Sequence, residues 1–168
     1  EDTLSLHDAL PISKKQVQLT AIDMMAFATA NGNSSPFAPS SAEAQNKLAN
    51  FDIEDAALAK TLIHGVGFLH NGLSERDHKI VEHCYKQGLI LVLVVPNTYC
   101  WKVPGPSHIS IIMDTVVYDG REHRYVDYNI AELLQMLGNA SRPQLDECGK
   151  AFVLCHTSKR DYLKKLVQ

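Results

Sequence analysis

The residues with the clearest chemical potential lie together in the segment Gln135-Met-Leu-Gly-Asn-Ala-Ser-Arg-Pro143. The guanidinium of Arg142 presents a planar fork of donors that matches the oxygens of a phosphate group. Asn139 carries no charge, so it cannot stabilise the negative charge that develops during phosphoryl transfer. An isolated Arg-Pro pair also has a structural explanation, because Arg142 could end a helix or pair with Asp146. Taken alone, the segment leaves a phosphate contact and a structural role both open.

Other chemistry-bearing patterns are weak. The chain has 8 histidines, but they show no paired ligand spacing on one helix or turn, so we expect no metal site. Gly149-Lys150 is followed by Ala151 and is therefore not a phosphate-binding loop. The glycines between Gly65 and Gly72 do not fit a dinucleotide-binding loop, because that segment is not placed between a strand and a helix.

Composition is consistent with one α/β domain. A chain of 168 residues with a net charge of −3 can form one hydrophobic core and has no global signature of nucleic-acid binding, so any RNA contacts must be local. The 4 cysteines are far apart in sequence, which argues against a zinc site or a disulfide framework and favours reduced thiols in a nuclear or cytosolic compartment. No apolar stretch approaches the roughly 18 residues of a membrane span.

Hydrophobic periodicity predicts helices in the first half of the chain over residues 14–30, 42–49 and 55–64. Gly32 suits the end of the first helix, and residues 31–41 are typical of a surface loop. A short strand is predicted over 66–69. Ser74-Glu-Arg-Asp77 resembles a capping box, and Gly88 is placed to end the helix that begins there.

The apolar run 89–95 is typical of a strand buried on both faces of a parallel sheet, and we expect it to be the central strand. Strands are also predicted over 108–113 and, buried, over 150–155. Tyr118-Asp-Gly-Arg121 is typical of a hairpin turn before an edge strand at 123–126. Helices are predicted over 130–137 and from a second capping box, Ser158-Lys-Arg-Asp161. This alternation predicts a parallel sheet flanked by helices, with ligands at the carboxyl ends of the strands.

Several motifs from about Ser13 onward carry a specific family resemblance. They are Ser13-Lys-Lys-Gln16, Leu19-Thr-Ala-Ile-Asp23, Gly65-Val-Gly-Phe-Leu-His-Asn-Gly-Leu73, Cys100-Trp101, Ile111-Ile-Met-Asp-Thr115, Tyr118-Asp-Gly-Arg121, Tyr125-Val-Asp-Tyr128, Leu134-Gln-Met-Leu-Gly138 and Ser158-Lys-Arg-Asp-Tyr-Leu-Lys-Lys165. Together they resemble the second RecA-like domain of the large spliceosomal RNA helicases, which carry two helicase cassettes in tandem and unwind paired small nuclear RNAs.

The resemblance implies a RecA-like, P-loop NTPase-like fold and ATP as the cofactor, with Mg²⁺ held by a first RecA-like domain that this chain lacks. It also implies a nuclear location, with small nuclear RNA duplexes and spliceosomal proteins as partners of the parent protein, and no membrane. A related two-cassette helicase of transcription coactivation and DNA repair is the alternative. That helicase shares Tyr-x-Asp-Gly and Arg-Tyr-Val-Asp, but it normally keeps both arginines of the nucleotide motif.

Helicases of superfamily 2 usually have Gln-x-x-Gly-Arg-x-Gly-Arg-Pro where this chain has residues 135–143. The resemblance therefore implies that Gln135, Gly138 and Arg142 bind nucleotide, with Arg142 at the retained arginine-finger position. Asn139 stands in place of the first arginine, and Ser141 in place of the second glycine. Since an arginine finger contributes several orders of magnitude in rate, we expect nucleotide binding without efficient hydrolysis.

A second motif is eroded in the same way. Active cassettes have Trp-Gly-Val-Asn-x-Pro-Ala-His where this chain has Trp101-Lys-Val-Pro-Gly-Pro-Ser-His108, and Pro104 has no N–H to donate. The two departures indicate the degenerate C-terminal cassette, which we expect to be regulatory. Thr98 matches the threonine that contacts the RNA backbone in this family, and Lys102 adds a charge nearby. Thr98 could equally be a local turn former, and Lys102 a solvated surface charge.

The ends of the chain carry a further expectation. Thr3-Leu-Ser-Leu-His-Asp-Ala-Leu-Pro-Ile12 resembles the in-frame translation of a short-read sequencing adapter, so we expect residues 1–12 to be an artefact and the native domain to cover 13–168. A domain of this type opens with a buried strand just before Ser13, and no such apolar run precedes it. We therefore expect a fragment that is truncated at both ends and has no ATPase activity alone.

Overall fold

The chain divides into two units, one extending to Gly105 and the other beginning at Pro106. The computed structural model describes residues 14–30, 32, 37–39, 41–143 and 147–167. Residues 1–12, with their adapter-like sequence, and Asp146, the suggested partner of Arg142, lie outside the described residues. None of the described helices is long and apolar enough to cross a membrane.

The first unit consists of helices around one short parallel strand pair. Its elements are α1 Lys14–Ala30, α2 Ala42–Ala49, α3 Ala56–Ile63, β1 Val66–Phe68, α4 Glu75–Lys86 and β2 Val92–Val94, followed by a 3₁₀ turn at Asn97–Tyr99. The strands β1 and β2 run parallel, with Val66 opposite Val92 and Phe68 opposite Val94. Helices α1, α3 and α4 pack against β1. The helices and β1 lie close to where the sequence predicted them, whereas β2 is shorter than predicted.

The core of the first unit forms around β1, whose three residues are all buried. Phe68, Leu58 and Leu62 have no exposed surface, and the inward face of α1 is lined by Val17 and Ala21. At about 25 cal/mol per Å² of apolar surface, this burial is the main stabilising term for the unit.

A buried carboxylate connects two helix starts in this unit. Ser74 caps α4, because its Oγ accepts the N–H of Asp77 at 3.2 Å. In a complete capping box the side chain at the third position would bond back to Ser74. Asp77 instead accepts the backbone N–H groups of Glu54 and Asp55, each at 3.1 Å. The side chain of Asp55 in turn caps α3 by accepting from Ala57 and Leu58.

Gly88 ends α4 in the left-handed conformation, with φ of +67°. Its N–H donates to the carbonyl of Tyr85, and the N–H of Leu89 donates to the carbonyl of Cys84. This is the Schellman arrangement, which requires a residue that tolerates positive φ. The predicted role of Gly88 is confirmed.

The prediction for residues 89–95 is only partly right. The N–H groups of Leu91 and Val92 both donate to the carbonyl of Gly65, and the chain bends at Leu91 before the strand begins. Strand β2 therefore has three residues, which are half-buried, and Leu91 is 61% exposed. Among the described residues β2 pairs with β1 alone, so it lacks the second neighbour that would make it a central strand.

The second unit has four strands and two helices among its described residues. They are β3 Ile109–Ile112, β4 Val116–Asp119, β5 Arg124–Asp127, α5 Ile130–Gly138, β6 Lys150–Val153 and α6 Arg160–Val167, with a 3₁₀ turn at Thr157–Lys159 before α6. Strands β4 and β5 form the predicted antiparallel hairpin, and β3 pairs with β6 in parallel.

The predicted single parallel sheet is not what the structure has. The described strands form three two-stranded sheets, two parallel and one antiparallel. The strands are three or four residues long, and each has one ladder partner. The α/β class and the parallel pairing are confirmed, whereas the continuous sheet is a wrong expectation.

Strand β6 was expected to be buried and is exposed. Helix α5 packs against β3, and the hydroxyl of Ser110 donates to the carbonyl of Met136 at 2.9 Å. Ile111 and its register partner Phe152 remain 58% and 52% exposed. An apolar face of this strand pair is thus in contact with solvent.

The start of α6 also differs from the prediction. The ring of His156, rather than Ser158, is the capping group, because it accepts the N–H of Ser158. This bond begins the 3₁₀ turn, so that α6 itself starts at Arg160. Histidine acts here as a local acceptor that the capping-box pattern does not include.

Candidate functional site

The predicted nucleotide residues lie at the end of α5. Asn129 caps the start of this helix by accepting the N–H of Ala131 at 3.0 Å, and Leu133 is buried on its inner face. The helix ends at Gly138, and the N–H of Asn139 still donates to the carbonyl of Gln135. The predicted motif therefore begins on a regular helix and continues into a loop.

Asn139 is fixed by hydrogen bonds through both its side chain and its backbone. The amide of Gln135 donates to Oδ1 of Asn139 at 3.3 Å. The carbonyl of Asn139 accepts from the N–H of Ser107 at 2.8 Å and from its hydroxyl at 3.1 Å. An arginine side chain at position 139 could not accept a hydrogen bond from Gln135, because a guanidinium has only donors. Asparagine therefore provides a structural hydrogen bond here but no cationic donor.

The loop after Asn139 is tightly packed. Ala140 is buried, and a Cβ added at Gly149 would lie 1.6 Å from the carbonyl oxygen of Ala140. Only glycine fits this close approach of two backbone segments. The backbone at Ala140 therefore packs directly against the backbone at Gly149, just before β6. This contact restrains the loop that carries Arg142.

Arg142 is half-buried and is the only basic residue between positions 135 and 143. Gly138 is exposed, with open space where a Cβ would point. The motif thus combines one half-buried guanidinium with an open backbone position at Gly138. The motif has no second positive charge, because Asn139 stands where the resembled motif has an arginine. Efficient phosphoryl transfer needs positive charge of this kind.

The predicted RNA residues lie in the first unit, on and after the 3₁₀ turn that follows β2. Backbone bonds from Tyr99 to Pro96, from Cys100 to Asn97 and from Lys102 to Tyr99, of 2.8 to 2.9 Å, define this turn. Thr98 and Lys102 are both exposed. The alternative role of Thr98 as a local turn former agrees with its position in this 3₁₀ turn.

His78 contacts this turn directly, and His70 contacts His78. The ring of Tyr99 stacks on His78 at 5.8 Å with 14° between the planes. His78 Nε2 lies 3.0 Å from the carbonyl oxygen of His70 and 3.4 Å from the hydroxyl of Tyr99. His70 is 1% exposed, stacks on Phe68, and accepts the N–H of Gly72 through Nδ1 at 3.0 Å. The burial and the stacking on Phe68 give His70 a packing role in this unit.

The turn also carries a positively charged side chain, that of Lys102. The ammonium of Lys102 lies 5.9 Å from the centre of the Tyr99 ring, a cation–π distance. Burial raises the pKa of Tyr99, and the negative charge of Glu82 raises this pKa further. The Tyr99 hydroxyl therefore stays protonated at neutral pH, and Lys102 is the exposed cation of this turn.

The clefts of the structure do not coincide with the predicted residues. One cleft of about 210 Å³ in the second unit is bounded by Thr115, Tyr128, Leu133, Lys159 and Tyr162 among others. None of the five predicted site residues lines this cleft or a second cleft, of about 470 Å³, beside α4. No group of three or more metal-ligating side chains occurs among the described residues.

The amino-acid sequence was compared with known proteins. It is 40% identical to the DExH-box ATP-dependent RNA helicase DExH12 of Arabidopsis thaliana over 156 residues, which is 92% of this chain. It is 38% identical to the human U5 small nuclear ribonucleoprotein 200 kDa helicase over 157 residues. The chain belongs to this family of DExH helicases.

Other relatives in this helicase family are equally similar. The human activating signal cointegrator 1 complex subunit 3 is 40% identical over 156 residues. In each of these comparisons the match covers 92% of the chain and spans 7% of the length of the relative. No family model matches the chain. Helicase homology implies a RecA-like fold, and the helices and parallel strand pairs described above agree with the α/β class of that fold.

Proposed function

We propose that this chain is part of the second RecA-like domain of a degenerate, C-terminal cassette in an ATP-dependent RNA helicase of the spliceosome. This cassette binds nucleotide and regulates an active neighbouring cassette, but it hydrolyses ATP poorly. The observation that carries the proposal is Asn139, which occupies the position of an arginine and accepts a hydrogen bond from Gln135 at 3.3 Å.

The proposed nucleotide contact depends on Arg142. Its guanidinium can hold phosphate oxygens in a planar, two-donor contact, and Gly138 leaves room for the ligand to approach. When bound, ATP would supply the phosphoryl group, and Mg²⁺ would be held by the first RecA-like domain of the same cassette. Because loss of an arginine finger costs about 10³ to 10⁵ in rate, one remaining guanidinium supports binding better than turnover.

The loop after the 3₁₀ turn supports the same proposal. Lys102 and Pro104 replace the glycine and asparagine of active cassettes, and proline removes a backbone donor. A second altered motif is consistent with a cassette that no longer needs to couple hydrolysis to movement along RNA. We propose that Thr98 and Lys102, both exposed, still contact the RNA backbone.

The proposed setting follows from the names of the relatives. Four of the relatives, each at 38% identity, are U5 small nuclear ribonucleoprotein 200 kDa helicases, from Drosophila melanogaster, human, mouse and rat. We propose small nuclear RNA duplexes and spliceosomal proteins as partners of the parent protein, and the nucleus as its location.

One observation favours a second candidate. The cointegrator subunit is as similar to this chain as the spliceosomal helicases are, at 40% against 38% identity. In that case the segment would belong to a two-cassette helicase of transcription coactivation and DNA repair. Asn139 argues against an active cassette of that kind, because such a cassette normally keeps both arginines.

Binding of a non-hydrolysable fluorescent ATP analogue to the full-length protein tests the proposal. With other cassettes disabled for nucleotide binding, Arg142→Ala should weaken analogue binding by about tenfold, since one charge-assisted contact is worth roughly 1.5 kcal/mol. Asn139→Ala is the matched control and should change the affinity less than about twofold. Equal affinity of the Arg142→Ala variant and the unchanged protein would contradict the nucleotide contact.

A further inference from the structure

We propose that Trp101 is a stacking platform for a base of single-stranded RNA, beside the backbone contact proposed for Thr98 and Lys102, on which this inference rests. Trp101 is the only tryptophan of the chain and is 62% exposed. Within the part of the chain that the structure describes, its indole stacks on no other ring. A large, rigid aromatic face is thus exposed to solvent at the position before a lysine in the sequence.

The backbone of the turn explains why this side chain points outward. Cys100 is 3% exposed and anchors the turn in the core. The N–H of Cys100 donates to Asn97 and the N–H of Lys102 donates to Tyr99, at 2.9 and 2.8 Å, so the two residues flanking Trp101 are both held. Trp101 is therefore exposed by a fixed backbone, and binding a base would require little ordering of the loop.

The neighbouring aromatic residue serves a different purpose. Tyr99 is engaged with His78 on one side, and the Lys102 ammonium lies 5.9 Å from its ring centre. The turn that exposes the indole therefore also carries a positive charge, at the ring of Tyr99. Single-stranded nucleic acids are recognised by this combination, in which cations follow the phosphates and aromatic faces stack on the bases. A protein partner would instead favour a broader apolar patch, whereas Thr98 and Lys102 make this surface polar.

The single tryptophan also makes the proposal directly measurable. Titration of the 168-residue chain with short single-stranded oligoadenylate or oligouridylate should quench its tryptophan fluorescence as a base stacks on the ring. The affinity should be higher for oligoadenylate, because purines offer a larger stacking face. Lys102→Ala should weaken binding and reduce its salt dependence by about 0.7 in the slope of log K against log salt, the amount expected for one phosphate contact.

Substitutions of Trp101 test base stacking separately from the other contacts of this surface. Trp101→Leu should weaken binding of labelled oligoadenylate, measured by fluorescence anisotropy, by about tenfold, whereas Trp101→Phe should retain most of the affinity. Phe27→Leu is the matched control, because Phe27 is an aromatic residue that is 74% exposed on α1, and its loss should change nothing. Circular dichroism of each variant verifies that the helices are intact.

Two results would overturn the proposal. If Lys102→Ala weakens binding while Trp101→Leu binds as the unchanged chain does and no quenching occurs, stacking is wrong and the backbone contact stands. If neither oligonucleotide binds, both the stacking and the RNA contact are wrong. Nucleotide binding through Arg142 is measured on a different ligand and is unaffected by either result.

Discussion

Asn139 and Arg142 differ in what each can offer a phosphate group. The asparagine accepts from Gln135 and from Ser107, so its polar atoms contribute to the local structure. Arg142 keeps the permanent charge and the fork of donors that phosphate recognition uses. Under the proposed function, asparagine at position 139 lowers catalysis more than binding, because phosphoryl transfer needs positive charge at a defined place.

Cysteine chemistry gives a prediction at the same scale. Burial raises the pKa of the Cys84 thiol from 9.0 to about 11, whereas Cys148 is exposed. The buried Cys84 should therefore resist iodoacetamide at pH 8, and Cys148 should be alkylated quickly, as read by peptide mass spectrometry. In denaturant all 4 cysteines should react, which is the control. Alkylation of native Cys84 as fast as Cys148 would contradict the burial.

The raised pKa of Cys84 also makes the free energy of unfolding depend on pH. The folded-state pKa is raised, so the stabilising contribution of the neutral thiol is fully present below pH 9.0 and is lost as pH rises towards about 11. A Cys84→Ala variant should lose this alkaline dependence, although it should also be less stable at every pH because it leaves a cavity.

Residue patterns predicted some of these features and could not predict others. Motif resemblance indicated Thr98, Lys102 and Arg142 as candidates, and the first two are exposed while Arg142 is half-buried. The support of Tyr99 by His78 had no signal, because the two residues are 21 positions apart and meet only through folding. The bond from Gln135 to Asn139 has helical spacing, four residues apart, so it was open to prediction from the sequence.

At the scale of elements, local rules worked where a feature depends on adjacent residues. The cap at Ser74, the left-handed Gly88 and the β4–β5 hairpin all follow from short-range backbone preferences. The length and burial of β2 and β6 depend on which strands and helices lie beside them, and sequence periodicity does not contain that information. The apolar run 89–95 does contain a strand, but the strand covers only Val92–Val94 and is half-buried.

The strongest prediction for an element concerns Asp77. Its carboxylate is 1% exposed and accepts the N–H groups of Glu54 and Asp55, which joins the start of α4 to the segment before α3. Asp77→Asn should lower the free energy of unfolding by about 2 to 3 kcal/mol, because one acceptor becomes a donor facing a buried N–H. Urea denaturation followed by circular dichroism measures this change.

Glu75→Gln is the matched control for that experiment. It is the same acid-to-amide change in the same helical turn, but Glu75 pairs with Lys79 at the surface, where its side chain is 86% exposed. An exposed pair of this kind contributes less than about 0.5 kcal/mol. If both variants lose the same stability, the buried carboxylate does not hold the two helices together.

At the scale of the whole molecule, each unit has its own set of contacts. The first unit is built around the buried β1, whereas the β3–β6 pair of the second unit leaves Ile111 and Phe152 exposed. Exposing an apolar strand face of this kind to water is unfavourable in free energy. In RecA-like folds, helices cover both faces of the parallel sheet. The matched relatives are about fourteen times longer than the aligned segment, since the chain spans 7% of their length.

Steady-state ATPase activity of the full-length protein is the measurement that tests the central claim most directly. With Arg142→Ala the rate should stay within about twofold of the unchanged protein, because the proposal assigns hydrolysis to a neighbouring cassette. Replacing the phosphate-loop lysine of that neighbouring cassette should abolish the activity. If Arg142→Ala reduces the rate as severely as the lysine replacement, by about 10³ or more, this segment belongs to an active cassette and the account is wrong.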